Sequence, residues 1–183
     1  MDLAQLTMSR RTVHNFTGEK ISDQWVENAL RLSLWAPNHK LTFPWAYFWV
    51  GDKLRTDLAD LSVRLKETKG PLSEVKKGAV RDSVMRPSHL ILMATKLGDP
   101  GRVHEDYATL ACSVQIATLV LWEQNIGTKW STGQFSTHAE TYALLGISPQ
   151  EYGLQGVLMI GVPAIMPPPP PRPALAQVLR RTT

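Results

Sequence analysis

The sequence predicts an α+β protein, a small sheet wrapped by helices, and three observations carry that prediction. Four short runs are apolar on both faces and bounded by Gly, Pro or Asp, as buried strands are. The blocks between them hold one or two helical patterns each, without the regular alternation of strand and helix that builds a doubly wound parallel sheet. One long segment, residues 104–126, is apolar nearly all round, with Leu110, Val114, Leu121 and Trp122 on one side and Cys112, Ile116, Leu119 and Val120 on another. Such a helix must be buried on most sides, either as the central helix of the core or partly under a second subunit.

In chain order, a short N-terminal helix precedes Arg10. Ser22 is the N-cap of the next, with Asp23 in its first turn and Val26, Ala29, Leu30 and Leu34 at helical spacing until Pro37 ends it. Residues 52–66 repeat the pattern with Leu54, Leu58, Leu61 and Leu65, and a third amphipathic helix begins at Ser73 and stops near Met85, before Pro87. The strands are residues 45–50, 90–95, a short piece at 128–131, and 156–161. No internal repeat is visible. Pro167 to Pro171, then Arg172 and Pro173, favour extended polyproline and cannot pair inside a sheet. One domain over residues 1–183 is expected, with a Pro-rich extension from about residue 164 that leaves the core and lies against something else.

Composition narrows the function classes. With 183 residues, 43% hydrophobic and 20% charged, the chain can bury a core and is not disordered throughout. Twenty Lys and Arg against sixteen Asp and Glu give +4, which suits an anionic small molecule as readily as a nucleic acid. The single cysteine, Cys112, excludes an intramolecular disulfide and a multi-cysteine metal site, and its place in the apolar helix makes it a small buried side chain rather than a nucleophile. The chain opens without a signal-peptide pattern. Its most apolar segment, 108–122, is broken by Ser113, Gln115 and Thr118 and falls short of the roughly 20 residues of a membrane span. The expectation is a soluble, cytoplasmic protein with no membrane partner. GxGxxG and GxxxxGK[ST] are absent, and the five histidines include no pair at three- or four-residue spacing, so neither a Rossmann fingerprint nor a local metal site is expected.

Three segments carry candidate chemistry. Arg10-Arg11-Thr12 offers two guanidinium forks, a hydroxyl and backbone N–H groups, a good clamp for phosphate oxygens; basic residues also suit an ordinary solvated helix end. Trp35-Ala36-Pro37-Asn38-His39-Lys40 leads through Phe43-Pro44-Trp45 into a strand, and its aromatic, amide, imidazole and ammonium groups could take a flat heteroaromatic ligand or merely set a loop and fill the core. Ser131-Thr132-Gly133, with Gly127 to Trp130 before it, has small residues that let backbone approach a ring, and is also the composition of a plain turn.

Taken together, the three segments resemble the nitroreductase family of FMN-dependent oxidoreductases. Arg10-Arg11-Thr12, the Ala36-Pro37 loop ending in Pro44-Trp45, the long central helix and Gly161-Val162-Pro163 after the last strand follow the family's order and spacing along nearly the whole chain, in the form of its short branch. The resemblance implies a nitroreductase-like fold, with a small, mixed but mainly antiparallel sheet around the long central helix. It also implies a homodimer with two FMN sites at the subunit interface. By position, Arg10, Arg11 and Thr12 would hold the FMN phosphate and ribityl chain, Ser131, Thr132 and Gly133 would lie on the same flavin, and Trp35 and His39 would reach it from the other subunit. Leu41 and Phe43 stand where the family often has Asn and Gln, and Arg172 is the one counterpart of a frequent C-terminal basic residue. The implied reaction is ping-pong transfer of reducing equivalents from NAD(P)H through FMN to a small acceptor such as a nitroaromatic or quinone, with no nucleic acid involved. Related enzymes use the scaffold for dehalogenation, dehydrogenation or flavin breakdown, and a non-enzymatic interaction protein is the remaining alternative. No side chain is required as nucleophile or general acid; His39 is a candidate donor to the reduced ring.

Overall fold

The computed structural model describes residues 1–182. Its sheet has four strands, β1 (Trp45–Trp49), β2 (His89–Lys96), β3 (Gly127–Ser131) and β4 (Tyr152–Gly161), in the order β1-β2-β4-β3 with every neighbouring pair antiparallel. The expected parallel component is confined to a single bridge, Thr12 to Thr128, alongside β3. Every residue of β2 from His89 to Thr95 is buried, because helices cover both of its faces, and that is why its sequence reads as an unbroken apolar run.

The described residues form seven α-helices, α1 (Leu3–Ser9), α2 (Asp23–Ser33), α3 (Asp52–Glu67), α4 (Glu74–Met85), α5 (Val103–Glu123), α6 (Ala139–Leu145) and α7 (Leu175–Val178), the last an exposed turn in the tail. Ser22 and Ser73 cap α2 and α4 with their hydroxyls, as their sequence positions imply. Alternate residues of β2 feed two cores. Leu90 and Leu92 pack with Leu58 and Leu61 of α3 and Val84 of α4, while Ile91 and Met93 pack with Val26 and Ala29 of α2 and Leu110, Val114 and Leu121 of α5.

Two details depart from the sequence reading. The seven-residue α6 was not anticipated; it is too short for a clear periodicity and is stopped by left-handed Gly146. Cys112 is exposed, not buried, because α5 buries the face that carries Leu110, Ser113, Val114, Ala117 and Leu121 and leaves Cys112 on another. Ser113, by contrast, is fully buried and bonds the Tyr47 hydroxyl at 2.7 Å, so the polar break in the apolar helix is an internal contact; burial pushes the Tyr47 pKa up against the pull of Ser113 and Ser33. Among the described residues no helix is long and apolar enough to cross a membrane.

One irregularity positions the end of β3. The pairing of β2 with β4 slips between Met93 and Ala94, opposite Gly156, whose φ is +124°. A Cβ at Gly156 would lie 2.6 Å from the Ser131 carbonyl oxygen and 2.7 Å from Trp130 Nε1. Glycine is therefore what lets β3 close onto β4 here.

Candidate functional site

The segment after α1 builds the first part of the site. Trp122 Nε1 donates to Ser9 Oγ at 3.0 Å and fixes the end of α1 on α5. Arg10 then leaves the helix in an extended conformation, Val13 N donates to Thr128 O at 2.9 Å, and Phe16 bridges to Pro163. Residues 10–16 thus run alongside β3 and end beside the chain that follows β4. Because Thr12 is paired with Thr128, Arg10 and Ser131 lie at opposite ends of roughly 16 Å of extended chain, at about 3.3 Å per residue.

At the Arg10 end is a cleft of about 570 Å³ lined by Arg10, Arg11, Gln115, Arg172 and the Pro169-Pro170 stretch of the tail. Arg11 turns its Nη1 back onto the carbonyls of Met8 (2.6 Å) and Arg10 (2.9 Å) at the end of α1. Arg10 is different. Burial, then Arg11, then Arg172 push its pKa below the ordinary arginine value, and among the described residues no carboxylate opposes them. Three converging cations, one of them partly desolvated and without an acceptor, form a site whose electrostatics a multiply charged anion would relieve.

At the other end, Ser131 and Gly133 line a cleft of about 170 Å³ with Ser83, Lys66 and Lys129. Ser83 also lines a neighbouring cleft of about 320 Å³ with His14 and Arg86. Thr12 and Thr132 are exposed beside these clefts.

The α2 to β1 loop is the third part. Trp35 stands 83% exposed at its start. Beyond it, Lys40, Leu41 and Phe43 have left-handed backbones at φ +57°, +54° and +47°, although none is glycine. Phe43 N donates to Asn38 Oδ1 (2.8 Å), Asn38 Nδ2 to Thr42 Oγ1 (2.9 Å), and Thr42 Oγ1 to buried Asp106 (2.6 Å). His39 Nδ1 lies 2.8 Å from Glu105 Oε2. The loop is thereby tied to the first turn of α5, holding Leu41 and Phe43 outward.

The structure brings Arg10, Arg11 and Thr12 onto the same strand edge that leads to Ser131, Thr132 and Gly133. Trp35 and His39 line neither the Arg10 cleft nor the Ser131 cleft. Sequence reasoning misses Gln115, Ser83 and Lys66, has His14 and Lys129 only as neighbours of its candidate segments, and gives Arg172 no position. For Gln115 a signal existed, since it is an amide interrupting an apolar helix; Arg172 carries none, because a proline run has no periodicity that says where it returns.

The sheet edge thus carries three clustered arginines at one end and a small-residue turn at the other. The chain belongs to the nitroreductase family, whose model matches residues 7–162. It is 25% identical over 154 residues to the Bacillus subtilis (strain 168) protein named "Putative NAD(P)H nitroreductase YfhC", covering 81% of this chain and 78% of that one. Its fold matches a nitroreductase-like family protein from Bacillus cereus with a TM-score of 0.85 at 21% identity, over 100% of this chain and 96% of the other. It also matches iodotyrosine deiodinase bound to FMN and 3-iodo-L-tyrosine, with a TM-score of 0.80 at 22% identity over 99% of each.

Proposed function

We propose that this protein is an FMN-dependent oxidoreductase that takes reducing equivalents from NAD(P)H and delivers them to a small acceptor such as a nitroaromatic or quinone. The observation that carries the reading is Arg10, half-desolvated and without a counter-charge between Arg11 and Arg172. A phosphate monoester is the anion such a cluster fits, and family membership makes FMN the molecule that bears it. When bound, FMN supplies the electron chemistry; the chain supplies binding, orientation and electrostatics. Arg10 and Arg172 hold the phosphate, Arg11 and Thr12 complete its surroundings, and Ser131, Thr132 and Gly133 present backbone and hydroxyl groups to the ring. With no Rossmann fingerprint in the sequence, the nicotinamide nucleotide is a visiting substrate.

The active unit is a homodimer in which Trp35 and His39 serve the partner's site. The support is the uncovered apolar surface: Trp35, Leu41, Phe43 and Tyr107 are exposed, as is Cys112 on α5. An obligate interface buries above about 2,000 Å² and would cover them. Heat-released supernatant should contain FMN by chromatography, and FMN should bleach on anaerobic titration with NADH or NADPH and recover with a nitroaromatic. Sedimentation from micromolar to nanomolar protein should separate the chains and release flavin together. Absence of FMN binding by calorimetry sinks the reading, and a monomer that keeps its FMN sinks the shared site. Including 3-iodo-L-tyrosine among the acceptors tests the dehalogenating variant of the fold.

A further inference from the structure

We propose that Glu105 is a positioning residue for His39: it fixes the imidazole with its proton on Nδ1, leaving Nε2 as the ring nitrogen offered to an N–H group on the edge of a bound heteroaromatic ring. The inference rests on the flavin reading above for the identity of that ring, on the proposed homodimer for bringing His39 to it, and on the α5 contacts for the orientation of the imidazole.

The contact is 2.8 Å between His39 Nδ1 and Glu105 Oε2. An ionised carboxylate can only accept, so Nδ1 carries the hydrogen and, in the neutral ring, Nε2 is an acceptor, which replaces the donor role expected of His39 from the sequence. His39 is 59% exposed and Glu105 46%, and an ion pair that open contributes little to stability. Its consequence is orientation. The neighbouring carboxylate, buried Asp106, receives Thr42 of the same loop at 2.6 Å, so two consecutive residues of the first turn of α5 hold the loop at two points, one fixing the backbone and one the imidazole. The negative charges also sit well at a helix N-terminus. Between those two anchors lie the left-handed Lys40 and Leu41, and Phe43 follows. Strained non-glycine backbone persists where its surroundings over-determine it, and such strain concentrates at ligand clamps. A loop that only had to connect α2 to β1 would need neither anchor.

The ligand-side chemistry is a planar ring edge with a hydrogen-bond donor, which the pyrimidine part of a flavin provides. Nitrogen NMR of protein carrying labelled histidine, at a pH where the imidazole is neutral, reads the tautomer directly without flavin. His39 should show the Nδ1–H form. Glu105→Met, of similar length without an acceptor, should release it to the mixture of a free imidazole, and Glu105→Gln should not restore it, because its amide can donate to Nδ1 as well as accept from it. FMN affinity by calorimetry should fall about two- to tenfold in Glu105→Met and in His39→Phe, the range of one hydrogen bond, and no further in the double variant than in His39→Phe. An Nε2–H tautomer in the wild-type protein overturns the proposal, as do losses that multiply in the double variant. Protein that binds no FMN defeats the flavin reading instead, and the tautomer then decides the positioning role alone.

Discussion

Replacing Arg10 and Arg172 together with Gln should abolish tight FMN binding while leaving the apo protein as stable as before or more so. Both guanidiniums line one cleft with Arg11, and among the described residues none of the causes acting on Arg10 is a carboxylate: burial, Arg11 and Arg172 all disfavour its charge. Without a bound anion the three cations repel one another, so a ligand bearing negative charge would relieve the cluster. Charge-assisted hydrogen bonds contribute about 1.5–3 kcal/mol each, so losing one from each arginine removes about 3–6 kcal/mol, roughly a 10²- to 10⁴-fold weaker Kd. Arg10 is only partly buried and solvent still screens it, so the gain in apo stability should lie between zero and about 0.5 kcal/mol. Raising NaCl should stabilise wild-type apo protein more than the double variant, since salt screens like charges. Calorimetry with FMN and denaturant melts at two salt concentrations measure both halves. A variant that binds FMN normally, or one whose apo form is destabilised by 2 kcal/mol or more, would show the arginines to be structural and refute the reasoning.

Gly156→Ala should destabilise the fold by more than about 2 kcal/mol, combining a backbone at φ +124° with a methyl group 2.6 Å from the Ser131 carbonyl, and should weaken FMN binding because the end of β3 is displaced; urea denaturation and calorimetry read the two effects. Arg55 is only 4% exposed and donates to the carbonyls of Pro87 (2.6 Å), Ser88 (2.9 Å) and Met85 (3.3 Å) where α4 ends and β2 begins. Arg55→Met removes the donor to the Met85 and Pro87 carbonyls and leaves Ser88 only Lys20 Nζ at 3.4 Å, and should cost about 3 kcal/mol by chemical denaturation with little change in FMN affinity of the folded fraction.

What the sequence discloses depends on whether the cause is local. Ser22 and Ser73 cap their helices because a hydroxyl reaches N–H groups only a few residues away, and the β2 run is apolar because it is covered on both faces, so both are legible. The two halves of the anion-to-turn edge were legible as motifs, but their adjacency comes from Thr12 pairing with Thr128, across more than a hundred residues. The Arg172 contact depends on a polyproline stretch folding back over α1 and α5, which no periodicity encodes. Cys112 was misjudged for a related reason. Apolar composition says that a surface wants to be covered and not that the same chain covers it.

The left-handed loop was the least legible feature, since Lys, Leu and Phe have no preference for that conformation, and it permits a last prediction. Lys40 has φ +57° and an exposed side chain. A non-glycine residue in the left-handed region costs roughly 1–2 kcal/mol, and glycine there escapes the Cβ clash but loses about 0.5–1 kcal/mol through its freer unfolded chain. Lys40→Gly should therefore be neutral or stabilising by up to about 1 kcal/mol, the reverse of the usual effect of introducing glycine. The loop stays in place because its anchors, His39 to Glu105 and Thr42 to Asp106, lie on either side of the substitution and are untouched by it. If the strain belongs to function, the same variant should hold FMN less rigidly, seen as lower flavin fluorescence anisotropy at unchanged stability. A destabilisation above about 1 kcal/mol in thermal melts would mean that Lys40 contributes a contact of its own, and the account of strain held by the α5 carboxylates would fail.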